Sequence, residues 1–293
     1  MNPWILALRP KTLTATLVPI VAATALVKAT GFQVQWWISI TALLASFLIQ
    51  IATNFINDAI DFDKGADTET RTGPRRVTQT GLLSRKQVMT GGFVCLALAL
   101  VVGIPLVIEG GWPIVAIGVA SLFLAYGYTG GPFPLAYLGL GDLFVVLFFG
   151  LIAVGGTFFL HTHAYGWPAL IVGLQVGLLA TVLIAINNLR DAPQDKLVGK
   201  KTLAVRFGTR FAKIEITIMA YLPFLLGMAY SGAGWKWAGY APLITVPLAG
   251  RLVRGIWKSE PGPVMNRFLA MAAGLQMAFG FALALGLWMS GRV

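Results

Sequence analysis

Charged residues are scarce in this chain, making up only 11% of its 293 residues. Because a soluble domain typically carries about 25%, this composition argues against a soluble globular protein. Apolar runs recur along the sequence, each near the ~20 residues that a helix needs to cross a bilayer. The alternating pattern of membrane β-barrel strands is missing. The sequence therefore predicts an all-α polytopic membrane protein.

Cysteine and histidine are also rare. The single cysteine, Cys95, lies in an apolar run, so we expect an inert packing residue and no internal disulfide. The two histidines, His161 and His163, fall in a predicted outer loop with no further ligand nearby. We expect ordinary surface residues there rather than a metal site. No small-residue cleavage pattern follows the first apolar segment, so a cleavable signal peptide is not expected.

The apolar runs predict nine spans within one membrane-embedded domain, residues 1–293. The predicted spans are residues 12–28, 36–57, 88–108, 112–129, 141–160, 167–188, 213–231, 238–253 and 266–289. The second and sixth spans lie four apart and run in the same direction. Two four-helix pseudo-repeats followed by one extra helix are the simplest arrangement, and such repeats commonly place a site at their interface.

Lysine and arginine are nearly absent from one side of the predicted membrane. If the spans alternate, nineteen of the 22 basic residues fall on the side of the N-terminus. The positive-inside rule then places the N-terminus in the cytoplasm. The net charge of +11 is mostly a consequence of this topology and does not indicate nucleic-acid binding.

Two acidic motifs end corresponding apolar runs. Asn57, Asp58 and Asp61 end the second span, and a similar group that begins with Asn187 and Asn188 ends the sixth, 130 residues later. On a helix the first three lie at about 0°, 100° and 40°, which is one face. Acids placed against a bilayer-length segment are energetically expensive and are functional candidates by default.

The second motif has the same pattern, with Asp191 and Asp195 on the face of Asn187. Pro193 is expected to kink or end the helix, which would leave Asp195 on a loop. Carboxylate and amide oxygens suit Mg²⁺, which is completed by waters and substrate phosphates. The ligands predicted from the two faces are Asn57, Asp58, Asp61, Asn187, Asp191 and Asp195.

Basic residues follow each acidic motif. Arg71 and Arg76 come after the first, with Arg75 as the alternative to Arg76, and Lys200 and Lys201 come after the second. Magnesium together with Arg and Lys is a common way to hold a diphosphate and stabilise it as a leaving group. A solvated loop that sets topology is the alternative for each basic residue, but it does not explain two matching acidic faces.

Longer motifs surround these residues. They are Arg9-Pro-Lys-Thr-Leu-Thr, Asn57-Asp58-x-x-Asp61-x-x-x-Gly65-x-Asp67-Thr68, Arg71-x-Gly73-Pro74, Gly139-Leu-Gly-Asp142, and Asn187-Asn-Leu-Arg190-Asp191-x-x-x-Asp195-x-x-x-Gly199-Lys200-x-Thr202-Leu-Ala-Val-Arg206-x-Gly208. Through them the chain resembles the UbiA-type intramembrane prenyltransferases. Within that superfamily it is most similar to the 1,4-dihydroxy-2-naphthoate prenyltransferases of menaquinone synthesis.

This resemblance implies a reaction and a location. A polyprenyl group passes from polyprenyl diphosphate to 1,4-dihydroxy-2-naphthoate with Mg²⁺ and loss of CO₂, giving demethylmenaquinone. The enzyme lies in the lipid of the bacterial cytoplasmic membrane, with its active site on the cytoplasmic side. The resemblance also implies that Asp61, Asp191 and Arg71 are catalytic. Because position 65 is glycine, Asp67 is the implied third acid, with Asp63 as the alternative.

A Gly- and Pro-rich segment from Tyr126 to Gly141 is implied to cap the site. The implied acceptor- or prenyl-binding residues are Asn54, Tyr126, Tyr128, Tyr137 and Asp142. Two other functions stay open from the sequence. One is transfer to another aromatic acceptor, such as 4-hydroxybenzoate or haem. The other is secondary transport, although transporters more usually carry their acids near the membrane midplane.

Overall fold

The computed structural model describes residues 2–65 and 72–291, apart from the side chain of Lys11, and these residues are helical with connecting turns. The predicted all-α fold class is confirmed. The α-helices are α1 (Pro3–Leu8), α2 (Pro10–Ala29), α3 (Trp36–Asp63), α4 (Arg85–Gly127), α5 (Leu135–Leu138), α6 (Gly141–Val145), α7 (Ala153–Thr162), α8 (Trp167–Leu197), α9 (Leu203–Leu226), α10 (Lys236–Tyr240), α11 (Val246–Trp257) and α12 (Met265–Ser290). A π-helical segment, Val146–Ile152, joins α6 to α7.

Seven helical stretches in the described chain are long and apolar enough to cross a membrane. One of them, the 43-residue α4, is a hairpin. Its backbone leaves the helical region at Gly111, which has φ 62°. The rings of Phe93 and Tyr126, near its two ends, lie 6.5 Å apart. Because these two rings meet, the third and fourth predicted spans form an antiparallel pair.

The predicted span at residues 238–253 is not one regular helix. It falls on α10, the 3₁₀ segment Ala241–Thr245 and α11. Pro242 and Pro247 lack the N–H donors that a continuous α-helix requires, which accounts for the interruption. Each of these three pieces is shorter than the ~20 residues that a helix needs to cross a bilayer. The predicted count of nine spans therefore stays a prediction.

Helix α8 packs against α2, α9, α12 and the π-helical segment. Small residues allow the closest of these contacts. A Cβ atom on Gly150 would overlap the carbonyl oxygen of Gly173, and one on Gly177 would crowd Val146. Since lipid is as apolar as a leucine side chain, close backbone packing of this kind is what holds helices together in a membrane. It fixes α8, which carries the second acidic motif, relative to the segment that follows the cap.

Both motif helices extend beyond the predicted spans. Helix α3 continues to Asp63, and α8 passes through Pro193 and ends at Leu197. The expectation that Pro193 would end the helix and leave Asp195 on a loop is therefore wrong. Proline removes a single hydrogen bond, to the carbonyl of Leu189, and this loss is small so near the helix end.

The end of α8 is closed by a Schellman motif. The Lys200 N–H donates to the Asp195 carbonyl at 2.9 Å, and the Gly199 N–H donates to the Lys196 carbonyl at 3.4 Å. Gly199 has φ +74°, the left-handed conformation that this motif requires and that glycine adopts most readily. The chain reversal places Lys200 directly beside Asp195.

Candidate active site

The two acidic motifs face each other at the ends of α3 and α8. The Lys200 ammonium lies 3.8 Å from Asp61 Oδ1 and 3.7 Å from Asp195 Oδ1. One cation is therefore within ion-pair distance of a carboxylate from each motif. This juxtaposition agrees with the predicted shared site, although Asp61 and Asp195 lie 134 positions apart in the chain.

Asp61 is the most heavily contacted acid of the first motif. It is 4% exposed, and its Oδ2 lies 2.9 Å from a guanidinium nitrogen of Arg76. Its Oδ1 accepts a hydrogen bond from the Tyr137 hydroxyl at 3.0 Å. Arg76 is buried, whereas the neighbouring Arg75 is exposed. Of these two adjacent arginines, between which the sequence does not decide, the structure brings Arg76 to the acids.

The other two residues of the first motif hold the surrounding chain. Asp58 is 1% exposed, accepts hydrogen bonds from the backbone N–H and the hydroxyl of Thr78, and lies 3.8 Å from Arg9. Asn57 accepts a hydrogen bond from the Thr129 hydroxyl, and its carbonyl accepts one from Arg76 at 3.0 Å. These hydrogen bonds hold the loop after α3 and the cap against α3 itself.

Arg190 organises the second motif. It is 2% exposed and donates to both oxygens of Asp191, at 2.7 and 2.6 Å. It also donates to Asn187 Oδ1 at 2.5 Å. The Thr72 hydroxyl donates to Asp191 Oδ1 at 2.9 Å. Two predicted ligands, Asn187 and Asp191, are therefore oriented by one buried guanidinium.

Two of the sequence motifs contact each other in the cap: the one that begins at Gly139 and the one that follows α8. The Lys201 N–H donates to the Tyr137 carbonyl at 2.9 Å, and Arg206 donates to the Leu138 carbonyl at 2.7 Å. Gly139, with φ +76°, lets the Lys201 carbonyl approach so closely that any Cβ would overlap it. The segment after α8 thereby fixes α5 over Asp61, and the Lys201 side chain itself points to solvent.

Two ammonium groups flank the Tyr137 ring. Lys64 Nζ lies 3.9 Å and Lys200 Nζ 4.9 Å from the ring centroid, within the range of cation–π attraction. Burial lowers the pKa of Lys64, as does the like charge of Lys200, while Asp61 raises it. Burial and the charge of Asp61 raise the pKa of Tyr137 above its ordinary value. Tyr137 therefore stays protonated and donates to Asp61.

An apolar groove opens beside the acids. Its volume is about 140 Å³, and it runs between α2, α3, the second half of α4 and the segment from α6 to α7. Tyr128 lies at the end of the groove next to the cap, and Ala153 and Ser46 line it farther along α7 and α3. Burial and then the charge of Asp142 raise the pKa of Tyr128, so this tyrosine is also protonated. The groove offers a long apolar surface that starts at a polar cluster.

Some residues expected in the site have other contacts. Asn54 donates to the Leu8 carbonyl and the Thr12 hydroxyl, both at 3.0 Å, and so anchors the N-terminal helices. Tyr126 is 39% exposed and its ring stacks on Phe93. Asp63 is exposed and pairs with Arg85 at 2.9 Å. Asp67 and Arg71, predicted as a ligand and a catalytic residue, lie outside the described residues.

Asp142 and His161 are buried, and His163 is exposed. Asp142 is 3% exposed and accepts a hydrogen bond from Asn188 at 3.3 Å, two positions before the groove residue Phe144. His161, expected at the surface, is 6% exposed. Its ring contacts the Ser39 hydroxyl at 3.3 Å and the Thr157 carbonyl at 2.9 Å, because α7 extends two residues beyond the predicted span and includes His161. The Nε2 atom of His163 lies 3.3 Å from the Oε1 atom of Glu109.

The oxygen donors of the two motifs fit a hard divalent cation. Within residues 2–65 and 72–291, no group of three or more Asp, Glu, His or Cys side chains could hold a metal ion by itself. Magnesium commonly uses only one or two carboxylates and completes its shell with waters and substrate phosphates. The cationic Lys200 between Asp61 and Asp195 shows that positive charge is stable at this place. The arrangement therefore fits Mg²⁺ bound jointly with a phosphate-bearing ligand.

Helices, acids and groove together define a class: an integral membrane protein whose charged site lies near Tyr128, a residue that lines an apolar groove. The chain belongs to the UbiA prenyltransferase family, whose family model matches residues 16–275. It is a prenyltransferase, as the family membership and the named relatives show.

Two of the relatives with similar sequences carry the same name. The 1,4-dihydroxy-2-naphthoate octaprenyltransferase of Haemophilus influenzae is 32% identical, over 98% of this chain and 96% of that protein. The protein of the same name from Escherichia coli is also 32% identical, over 97% of this chain and 96% of that protein. These matches cover nearly the whole length of both partners.

Solved structures share the fold at lower identity. A UbiA homologue from Aeropyrum pernix K1 has a TM-score of 0.71 at 16% identity, covering 94% of this chain and 97% of that chain. A UbiA homologue from Archaeoglobus fulgidus, bound to DMAPP and Mg²⁺, has a TM-score of 0.61 at 17% identity, covering 96% of this chain and 99% of that chain. The predicted UbiA-like fold is confirmed.

Several residues of the site were missed from the sequence. Lys64 and Thr72 flank the first motif, Arg190 lies inside the second, and Asn266 begins the last helix. Arg190 could have been found, because a charged residue between Asn188 and Asp191 in a membrane helix requires a partner. Asn266 carries no such signal, since an isolated asparagine at a helix start is ordinary.

Proposed function

We propose that this chain transfers a polyprenyl group from polyprenyl diphosphate to 1,4-dihydroxy-2-naphthoate, with Mg²⁺ and with loss of CO₂, giving demethylmenaquinone. The observation that carries the proposal is the position of Lys200 between an acid of each motif, together with an apolar groove whose lining residue Tyr128 lies near the same acids. A prenyl diphosphate matches both parts, because its head is anionic and its tail is apolar.

The basic residues act on the diphosphate head. Arg76, Lys200 and Lys64 lie around Asp61 and neutralise the charge that develops as the C–O bond ionises. The electron pair of that bond leaves with the diphosphate, and an allylic cation remains. When bound by the oxygens of the two motifs, Mg²⁺ supplies Lewis-acid charge to the leaving group. Asp61, Asp191 and Asp195 are its proposed carboxylate ligands, with Asn57 and Asn187 beside them.

The acceptor ring then supplies the electron pair of the new carbon–carbon bond. The ring carbon that carries the carboxylate attacks the allylic cation, and its bond to the carboxylate carbon then breaks to release CO₂. The electron pair of that bond restores the aromatic ring, so no proton has to be removed and no strong base is required. The product at this step is the quinol form. The protonated Tyr137 and Tyr128 offer ring faces that stabilise a cation next to them.

The groove accounts for the membrane fold. Its lining includes Phe144, Phe148 and Leu124, which suit a polyprenyl tail. Helix α4 packs on α3 and on α7, whereas the groove separates its second half from the π-helical segment. A tail longer than the groove can therefore continue sideways into lipid while the head stays at the acids.

The location follows from the charges. Nineteen of the 22 basic residues fall on the side of the acidic motifs, which supports a cytoplasmic N-terminus and active site. The named bacterial relatives support the bacterial cytoplasmic membrane. We further infer that residues 1–293 form one domain, because the two motifs build a single site.

Other aromatic acceptors are the competing proposal within the family. Naphthoate is favoured by the relatives' names, including a 2-carboxy-1,4-naphthoquinone phytyltransferase from Synechocystis that is 28% identical over 96% of this chain.

A reconstituted assay tests the proposal. The protein in lipid nanodiscs receives one polyprenyl diphosphate, Mg²⁺ and an equimolar mixture of 1,4-dihydroxy-2-naphthoate and 4-hydroxybenzoate, and products are identified by mass. We expect only the prenylated, decarboxylated naphthalene product. Asp61→Asn is expected to lose transfer, and the matched control Asp63→Asn, which alters an exposed acid two positions along, is expected to retain it. Prenylation of 4-hydroxybenzoate instead would contradict the proposal.

A further inference from the structure

Asn266, the second residue of α12, bonds two different parts of the site. Its amide nitrogen donates to the Thr72 carbonyl at 3.0 Å, and its amide oxygen accepts from Arg190 at 2.7 Å. Asparagine at a helix start often caps its own helix, but α12 has no side-chain cap. Both ends of this amide are used in contacts with residues far away in the chain.

These contacts close a ring of hydrogen bonds. Arg190 donates to Asp191 as well as to Asn266, and the Thr72 hydroxyl donates to Asp191 at 2.9 Å. The ring therefore runs through Asn266, Thr72, Asp191 and Arg190, which come from α12, the segment after the first motif, and α8. Arg190 is 2% exposed, so the ring is shielded from water on its guanidinium side.

The ring also connects the two motifs. Thr72 is held to Asp191, and Arg76, four residues later, is held to Asp61 at 2.9 Å. The short segment from residue 72 to residue 76 therefore spans from the second motif to the first. Asn266 holds the Thr72 end of this bridge through a main-chain bond, which depends on the position of the backbone rather than on the side chain at 72.

We propose that Asn266 is a positioning residue for the diphosphate site. Through its hydrogen bonds with Arg190 and Thr72, it fixes the position of Asp191 relative to Arg76. This rests on the proposed function, because it assumes that metal and diphosphate bind between the motifs. Partners that orient metal ligands without touching the metal are commonly worth about 10–100-fold in metal affinity or activity. Loss of Asn266 is expected to weaken metal–diphosphate binding within that range while the helix bundle stays folded.

The test measures binding without turnover. Mn²⁺, a paramagnetic probe for the Mg²⁺ site, is titrated into the detergent-solubilised protein with inorganic diphosphate, and free Mn²⁺ is read by electron paramagnetic resonance. We expect Asn266→Ala to weaken Mn²⁺ binding about 10–100-fold. Asn266→Asp keeps an acceptor for Arg190 but loses the donor to Thr72, so it is expected to weaken binding as well. Thr72→Val removes the donor to Asp191 and is expected to weaken binding, whereas Thr72→Ser is expected to restore it.

A structural control separates positioning from stability. The Tyr230 hydroxyl donates to Gln175 at 2.5 Å, a buried interhelical bond away from the acids. Tyr230→Phe is expected to lower the melting temperature and leave Mn²⁺ binding unchanged. The inference is overturned if folded Asn266→Ala or Asn266→Asp binds Mn²⁺ and diphosphate as the wild type does, or if Thr72→Val and Thr72→Ser behave alike. Absence of binding by the wild type would overturn the proposed function, and this inference with it.

Discussion

Substitution of Gly139 tests whether the cap controls the chemistry. Gly139 has φ +76°, and a Cβ there would overlap the Lys201 carbonyl oxygen. Alanine in the left-handed region costs about 1–2 kcal/mol by itself. The overlap adds a displacement, because a carbon–oxygen contact normally lies at about 3.3 Å or more. The loop that carries Lys200 must therefore move away from α5 by on the order of 1 Å, and a displacement of that size can reduce rates about 10²-fold.

The matched control is Gly131→Ala in the same cap. Gly131 has φ +73°, and its nearest neighbour to a new Cβ is a Tyr126 ring carbon at 3.9 Å, an ordinary contact. It therefore carries the same backbone strain without the overlap. We expect both variants to show similar losses of melting temperature, since the strain of about 1–2 kcal/mol is common to them. Only Gly139→Ala is expected to lose about 10²-fold in kcat/KM for prenyl diphosphate.

The assay is steady-state prenyl transfer in nanodiscs, with melting temperatures measured on the same preparations. Equal kcat/KM values for the two glycine variants would refute the reasoning, because they would show that the contact between Gly139 and Lys201 does not position the site. A collapse of both proteins on purification would show instead that the cap is needed for folding, which also contradicts a specific effect on rate.

Three further predictions concern the charged cluster and the groove. Asp191→Ala leaves the buried Arg190 without its charged partner, so this variant is expected to destabilise the fold by about 3–5 kcal/mol. Asp191→Asn keeps an acceptor oxygen for Arg190 and is therefore expected to fold but to lose prenyl transfer. Thermal melts measure the first effect and product assays the second. Because the pKa of Tyr137 is raised, the rate ratio of Tyr137→Phe to wild type is expected to stay constant across neutral pH, and a ratio that changes with pH would contradict a protonated donor. Ala153→Phe narrows the groove at the start of α7 and is expected to raise KM more for long prenyl diphosphates than for short ones. Equal increases in KM for long and short substrates would place the tail elsewhere.

The sequence predicted the fold and the meeting of the two acidic motifs because both depend on strong local signals. Bilayer-length apolar runs specify helices in lipid, and the helical repeat places Asn57 and Asp61 on one face. The error at Pro193 shows the limit of a local rule: one lost hydrogen bond does not end a helix whose next turn is closed by Gly199 and Lys200.

The partners of the acids could not be predicted in the same way. Arg76 and Arg75 are adjacent in the sequence, and only packing buries one and exposes the other. Asn54 was expected at the substrate, but its amide is used to anchor α1 and α2. Asn266 reaches Thr72 across 194 positions of the chain, a contact to which no periodicity or spacing points.

The most direct test of the proposed reaction follows the carboxylate of the acceptor. 1,4-Dihydroxy-2-naphthoate labelled in its carboxyl carbon is incubated with polyprenyl diphosphate and the reconstituted protein, with and without Mg²⁺. We predict that one labelled CO₂ is released for each prenylated product, that the product carries no label, and that neither forms without the metal. A prenylated product that keeps the labelled carboxylate, or transfer that persists in the presence of a chelator, would contradict the proposal.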